Sequence, residues 1–136
     1  MSKKITLIRT ENLAKVSYAY ASKVPDGMEL LFLAGSCPIN KDREVTLIND
    51  FEGQAKLCIK NLKEALRECG ASIEDITYTR VLVASNDRKD LVKVWGVVSD
   101  EFGEHDVPST LLGVTVLGYE NQLVEIEAVA AVLKDN

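Results

Sequence analysis

The sequence predicts a single α+β domain in two layers, a β-sheet carrying two helices on one face. Apolar residues recur at helical spacing in two separate segments, and short runs rich in strand formers fill much of the remainder. No linker, repeat or low-complexity tract divides the chain. At 136 residues and 15.0 kDa it fits one domain with a real core. Two helices cannot cover both faces of a sheet of this size, so both are expected on the same face.

The elements follow in order. Residues 5–8 (ITLI) read as a short strand, and residues 16–24 (VSYAYASKV) as a second. Pro25-Asp26-Gly27 has the chemistry of a turn, and residues 29–34 (ELLFLA) read as a fully buried strand ending at Gly35. The shortness of that turn predicts an antiparallel hairpin between the second and third strands. The first helix opens at Asn49, with Glu52 three residues on in a capping-box arrangement. Phe51, Ala55, Cys58, Leu62, Ala65 or Leu66, and Cys69 form its apolar stripe, and Gly70 stops it. Lys56, Lys60, Lys63, Glu64 and Arg67 fall on other faces and read as a solvated surface. Residues 76–85 (ITYTRVLVAS) form a strand. The second helix is capped by Asn86 or Asp87, carries Leu91, Val94, Trp95, Val98 and Phe102 on one stripe, and ends at Gly103. Residues 110–117 and 123–133 supply the last two strands, joined by GYENQ at 118–122.

Composition narrows the function classes. A hydrophobic fraction of 46% excludes a disordered chain. Lys and Arg number 16 against 21 acidic residues, a formal charge of -5, which disfavours nucleic acid and anionic membranes as partners. No apolar run is long enough to span a bilayer, and the N-terminus lacks the apolar core and cleavage site of a secretory signal. Three cysteines without a CxxC pair suit a reducing compartment, so a cytoplasmic location is expected. Cys58 and Cys69, on one helix, would lie roughly 16 Å apart, too far for a disulfide. Cys37, beside Gly35-Ser36, is the one thiol whose context suits a ligand site. His105 is the only histidine and sits in a polar stretch, EFGEHDVPST, that reads as an exposed loop. A Ser-His-Asp or Cys-His mechanism would have to use it, and a zinc site would gain one imidazole at most. No metal site is predicted, and any chemistry falls to carboxylates, hydroxyls and backbone groups.

The terminal strand carries the sharpest clue. In LVEIEAVAAVL, Val124, Ile126, Ala128, Ala130 and Val132 point one way, and Leu123, Glu125, Glu127, Val129, Ala131 and Leu133 the other. A one-sided antiparallel sheet should alternate with polar residues, and this strand does so only at the two glutamates. Its second face is therefore expected to be covered by another subunit. Glu125 and Glu127 would lie roughly 6–7 Å apart on that partly apolar face. A carboxylate so placed must be hydrogen-bonded, sit in a solvated cleft or change its protonation, which suits general acid/base work. Pairing with a neighbouring Lys or Arg is the structural alternative.

With VEIEAVA read beside SYAYASKV, LFLAGSCPI, QAKLCIKNLKEALRECGAS, IEDITYTRVLVAS, DLVKVWGVVSDEFG and PSTLLGV, the sequence resembles the RidA/YjgF family of imine/enamine deaminases. The resemblance runs from about residue 17 to 133. It implies a chorismate-mutase-like fold, a homotrimer whose three sheets face one another, and a small-molecule ligand in each cleft between subunits. It also implies cofactor-independent hydrolysis of 2-aminoacrylate-type imines to keto acids and ammonia.

By position, the resemblance makes Glu125 the group that handles the water and the proton. Tyr18 becomes the cleft-lining tyrosine, and Gly35 the glycine whose backbone approaches the ligand, with Ser36 following it. Typical members carry an arginine after the second helix that binds the substrate carboxylate. The resemblance places Ser109 there, and neither Thr110 nor Leu111 restores the charge. Archetypal substrates are therefore expected to be poor, as in an arginine-lacking side branch of the family. Ser109, Thr110 and the backbone near Gly35 would orient the ligand, and Tyr119 would flank the cleft. Trp95 stands where typical members have an asparagine, and its stripe assigns it to the core. The leading expectation is a small imine or enamine hydrolase, or one acting on a related carbonyl compound. The alternative is a non-catalytic ligand-binding or protein-interaction trimer. RNA cleavage, ascribed to some relatives, fits poorly with the charge and the single histidine.

Overall fold

The computed structural model describes residues 4–134. Within them the chain runs β1 (Thr6–Ile8), β2 (Ala21–Lys23), β3 (Met28–Phe32), α1 (Phe51–Glu68), a 3-10 turn (Ile73–Asp75), β4 (Ile76–Val83), α2 (Arg88–Phe102), β5 (Ser109–Gly113) and β6 (Val124–Leu133). Four strands form a mixed sheet in the order β3-β6-β4-β5, while β1 and β2 pair separately. The β4 and β5 strands are parallel, which requires a crossover, and α2 supplies it. The other pairs are antiparallel. Both helices lie on one face, the expected two-layer α+β arrangement.

Helix α1 begins at Asp50, whose Oδ1 accepts the Gly53 N–H at 2.8 Å. Asn49, the expected cap, instead adopts a left-handed φ of 57° and turns the chain into the helix. The helix ends at Cys69, and Gly70 takes the left-handed conformation (φ 73°) that its missing Cβ permits. Ala55, Cys58, Ile59, Leu62 and Leu66 are buried, whereas Cys69 is exposed because the helix has already turned from the core. In α2, Asp87 is the cap and Val94, Val97, Val98 and Phe102 are buried. These side chains close over Ile76, Val81 and Val83 of β4 and over Val124, Ile126, Ala128 and Ala130 of β6. Fully burying each such side chain contributes about 1.5–3 kcal/mol.

The expected hairpin between the second and third strands does not form. Only residues 21–23 of the expected second strand are extended, and they pair with β1 (Ser22 opposite Leu7), while β3 pairs with β6 (Leu30 opposite Ala131). The turn at 25–27 separates two sheets, because β6 offers β3 a longer apolar edge than β2 can. The fifth strand starts at Ser109 and ends at Gly113, short of the expected residue 117. His105 is half-buried, with Nε2 2.8 Å from the Ile76 carbonyl oxygen.

Candidate functional site

Directly opposed residues share a face, so the register defines the sheet surface that the helices leave uncovered. It carries Leu30 and Phe32 of β3, Glu125, Glu127, Val129, Ala131 and Leu133 of β6, Tyr78, Arg80 and Leu82 of β4, and Thr110 and Leu112 of β5. Phe32 is 77% exposed and Leu30 50%. Apolar side chains of this size are seldom left to water in a row.

Glu125 stands near the start of β6, half-buried on this surface. A bridge between Ser36 and Ile126 brings residues 35–37 alongside. The Cys37 Sγ is 3.3 Å from Glu125 Oε1 and 3.4 Å from the Gly35 carbonyl oxygen. Gln122 Nε2 donates to the same Oε1 at 3.2 Å. Burial, then the hydrogen bond to Glu125 and its charge, push the Cys37 thiol up to about 11. The carboxylate leans over Gly35, where a Cβ would lie 2.7 Å from Cδ and overlap Oε2. A side chain at residue 35 would therefore displace the Glu125 carboxyl group.

The neighbouring loop is fixed from below. Gln54, fully buried on α1, donates to the carbonyl oxygens of Leu47 (2.8 Å) and Asn121 (3.1 Å) and accepts the Leu123 N–H at 2.7 Å. Tyr119 sits in this loop, and its N–H donates to Gln122 Oε1 at 3.0 Å. Ser36 faces the other way: its Oγ donates to the Cys58 carbonyl oxygen of α1 at 2.5 Å. Its contribution beside Glu125 is confined to the backbone.

Tyr18, Ser109 and Thr110 gather elsewhere. With Trp95 and Leu111 they line an open groove of about 510 Å³ at the β5 edge. Trp95, expected in the core, packs half-buried against its edge; its Nε1 donates to Ser17 Oγ at 2.9 Å and its ring meets Tyr18 edge-on at 6.1 Å. Ser109 Oγ pairs with Thr79 Oγ1 at 2.7 Å, and Thr79 is buried under the helices. Thr110, by contrast, lies on the uncovered surface, with Oγ1 3.0 Å from the Tyr78 hydroxyl. On β5 it is therefore Thr110, not Ser109, that shares a face with Glu125. Arg80 is aligned with Thr110 on one side and Glu127 on the other, and its Nη1 is 3.5 Å from Glu127 Oε1. It is the only basic residue in the four strands of this sheet.

Glu125 is aligned with Leu82 and through it with Leu112, so Thr110 lies two strands across, about 10 Å away, and two residues along. The expected residues thus fall into two groups within one chain: Glu125, Gly35 and Tyr119 in one, Tyr18, Ser109 and Thr110 in the other. A larger depression of about 720 Å³, lined by Ser85, Asn86, Arg88, Leu91 and residues 113–115, contains none of them. Gln122 is the addition, and Cys37, the thiol whose context suited a ligand site, joins Glu125 through a contact the primary order does not display.

Known proteins share this fold. The profile of the family described as Endoribonuclease L-PSP matches residues 10–132. A RutC family protein of Pyrococcus abyssi is 32% identical over 124 residues, covering 91% of this chain and 94% of its own. A Rid-family protein of unknown function from Yersinia pestis superposes with a TM-score of 0.85 at 25% identity, over 95% of this chain and 99% of that one. RidA from the Antarctic bacterium Psychrobacter matches in fold, with a TM-score of 0.67 at 22% identity over 93% of this chain and 99% of its own. With the profile spanning nearly the whole chain and the two-layer architecture shared, this chain belongs to the RidA/YjgF/L-PSP family.

Proposed function

We propose that this protein is a cofactor-independent hydrolase that deaminates small reactive imines or enamines, or acts on a related carbonyl compound, in clefts between the subunits of a homotrimer. The observation that carries the reading is the Glu125 carboxylate on the uncovered sheet face, bonded through Oε1 to Cys37 and Gln122. Imine hydrolysis needs one group to act twice. Glu125 takes a proton from water as its oxygen attacks the imine carbon and returns that proton to the nitrogen, giving a carbinolamine. The carboxylate then takes the carbinolamine's hydroxyl proton as the carbonyl forms and passes it to the departing nitrogen as the C–N bond breaks, releasing ammonia and a carbonyl compound.

The trimer is supported by the apolar surface around Phe32 and Leu30 and by the separation of the two residue groups. A second copy covering that surface would bring a Tyr18 wall towards a Glu125 wall. Arg80 is engaged by Glu127, so a substrate carboxylate meets no unpaired cation from these strands. Imines without a carboxylate are the favoured substrates, and 2-aminoacrylate-type compounds are expected to be poor ones. The same observation favours the second reading, a trimer that binds a small molecule or a protein partner without turnover.

Two probes separate these readings. One is the imine released from benzylamine by a flavin amine oxidase, and the other the 2-imino acid formed from leucine by an amino acid oxidase. Accelerated ammonia release from the first, abolished by Glu125→Gln, supports the hydrolase. No acceleration with either, together with an unaltered small molecule retained in native mass spectrometry, supports binding alone. Equal rates in the parent and Glu125→Gln would remove Glu125 from the mechanism.

A further inference from the structure

Resting on the hydrolase reading of Glu125, we propose that Cys37 and Gln122 are positioning residues that engage one carboxylate oxygen, Oε1, and leave Oε2 as the proton-exchanging atom. Gln122 is a fixed reference. It is 4% exposed, its Oε1 accepts the Tyr119 N–H at 3.0 Å, and its amide group donates to Val124 O at 3.1 Å and to Glu125 Oε1 at 3.2 Å. The reversed amide would set an N–H against the Tyr119 N–H, so the orientation is determined. Cys37, on the segment that bridges to β6, approaches Oε1 at 3.3 Å. Its single hydrogen can reach Gly35 O or Oε1, and the charged oxygen is the stronger acceptor. With its ionisation displaced to about 11, the thiol stays a donor at neutral pH and is a poor nucleophile.

Oε2 has no donor among the described residues and fills the space above Gly35 that any other residue's Cβ would take. A carboxylate held this way cannot rotate its two oxygens freely, so the reacting geometry is set before substrate arrives. Cys37 comes from the segment after β3 and Gln122 from the loop before β6, and both act through Glu125 without touching the reacting atoms.

The first test is kinetic, with the benzylamine-derived imine. Cys37→Ala should lower kcat about tenfold with KM changed less than about twofold, and Cys37→Ser, which keeps a donor, should recover most of the loss. A Cys37→Ala enzyme within twofold of the parent, or a Cys37→Ser enzyme as impaired as the alanine variant, overturns the proposal. A second measurement is independent of turnover: ultraviolet titration of the Cys37 thiolate, with Cys37→Ser as the blank. Glu125→Gln should lower the midpoint by about one pH unit, because the negative charge is lost while burial remains. An unchanged midpoint overturns the contact. If the parent turns over neither imine, the hydrolase reading falls. A crystal structure of Cys37→Ala then decides the positioning: a carboxylate turned away from Gly35 supports it, and one still seated there overturns it.

Discussion

The two faces of β6 differ by one residue in sequence and by their whole environment in space. Val124, Ile126 and Ala130 are fully buried under α1 and α2, and Ala128 nearly so. Glu125, Glu127 and Val129, interleaved with them, are only half-covered, and Phe32 and Tyr78 beside Val129 stand exposed. The first face is completed by the chain's own helices. The second is largely apolar with the two glutamates at one end, and among the described residues neither helix packs on it, although Ala131 is fully buried. On the proposed reading one face serves stability and the other association and chemistry, so substitutions on the two should fail in different assays.

The largest effect is expected from Glu125→Gln, which should lower imine turnover by about a thousandfold while leaving thermal unfolding nearly unchanged. A variant that unfolds instead would erase the distinction between the faces. Ile126→Ala, one residue away, should do the reverse: a loss of about 3 kcal/mol in denaturant unfolding, from lost burial and a residual cavity. Phe32→Glu addresses association. Sedimentation should show a species of about 45 kDa for the parent, three times the 15.0 kDa chain, and a monomer for the variant. A parent that sediments as a monomer would refute the proposed trimer.

Gly35→Ala tests the contact between the reactive carboxylate and the backbone. Its Cβ meets a side chain rather than backbone, so folding should cost under about 1 kcal/mol while kcat falls roughly tenfold as Glu125 is displaced. The smallest effect lies off both faces, where Arg9 Nη1 donates to Asp106 Oδ2 at 3.0 Å. The hydrogen bond from Arg9 holds the Asp106 carboxyl below its ordinary range, and the Arg9 guanidinium is raised in turn. The stabilisation is complete above the unfolded carboxyl's pKa and fades as pH falls through the lowered folded value, that is, below about pH 4. Solvent screening limits it to a few tenths of a kcal/mol, about the scale of an exposed pair. Asp106→Asn should therefore flatten the acid limb of the stability curve slightly and leave turnover at neutral pH intact.

The helices were legible because their signals are local. Asp87 with the Val94–Val98–Phe102 stripe, and Gly70 and Gly103 at the stops, each act within a turn or two of chain. Asn49 misled because Asp50, its neighbour, is an equally good cap, and only the backbone angle separates them. Cys69 fits the helical spacing yet lies at the frayed end, past the last residue the core can reach. The β2–β3 pairing could not be read from the turn between them. A short turn permits a hairpin, but the competing partner, β6, lies a hundred residues downstream. In the site, Glu125 stood out by contradicting the apolar pattern around it, and Gly35 by its place in LFLAGSCPI. Cys37 bears on Glu125 across 88 positions of sequence, a distance over which no periodicity speaks. Gln122 looked like an ordinary loop residue because its three bonds exist only once the loop is closed.

By itself the sequence determined the α+β class, both helices and the doubly apolar terminal strand, all of which express the spacing of side chains along a regular backbone. The tertiary structure alone decided which strands pair, that Ser109 turns inward while Thr110 faces out, and which oxygen of Glu125 is engaged. Those outcomes depend on competition between distant partners for the same hydrogen bonds and the same buried area, and a linear pattern carries no measure of who wins.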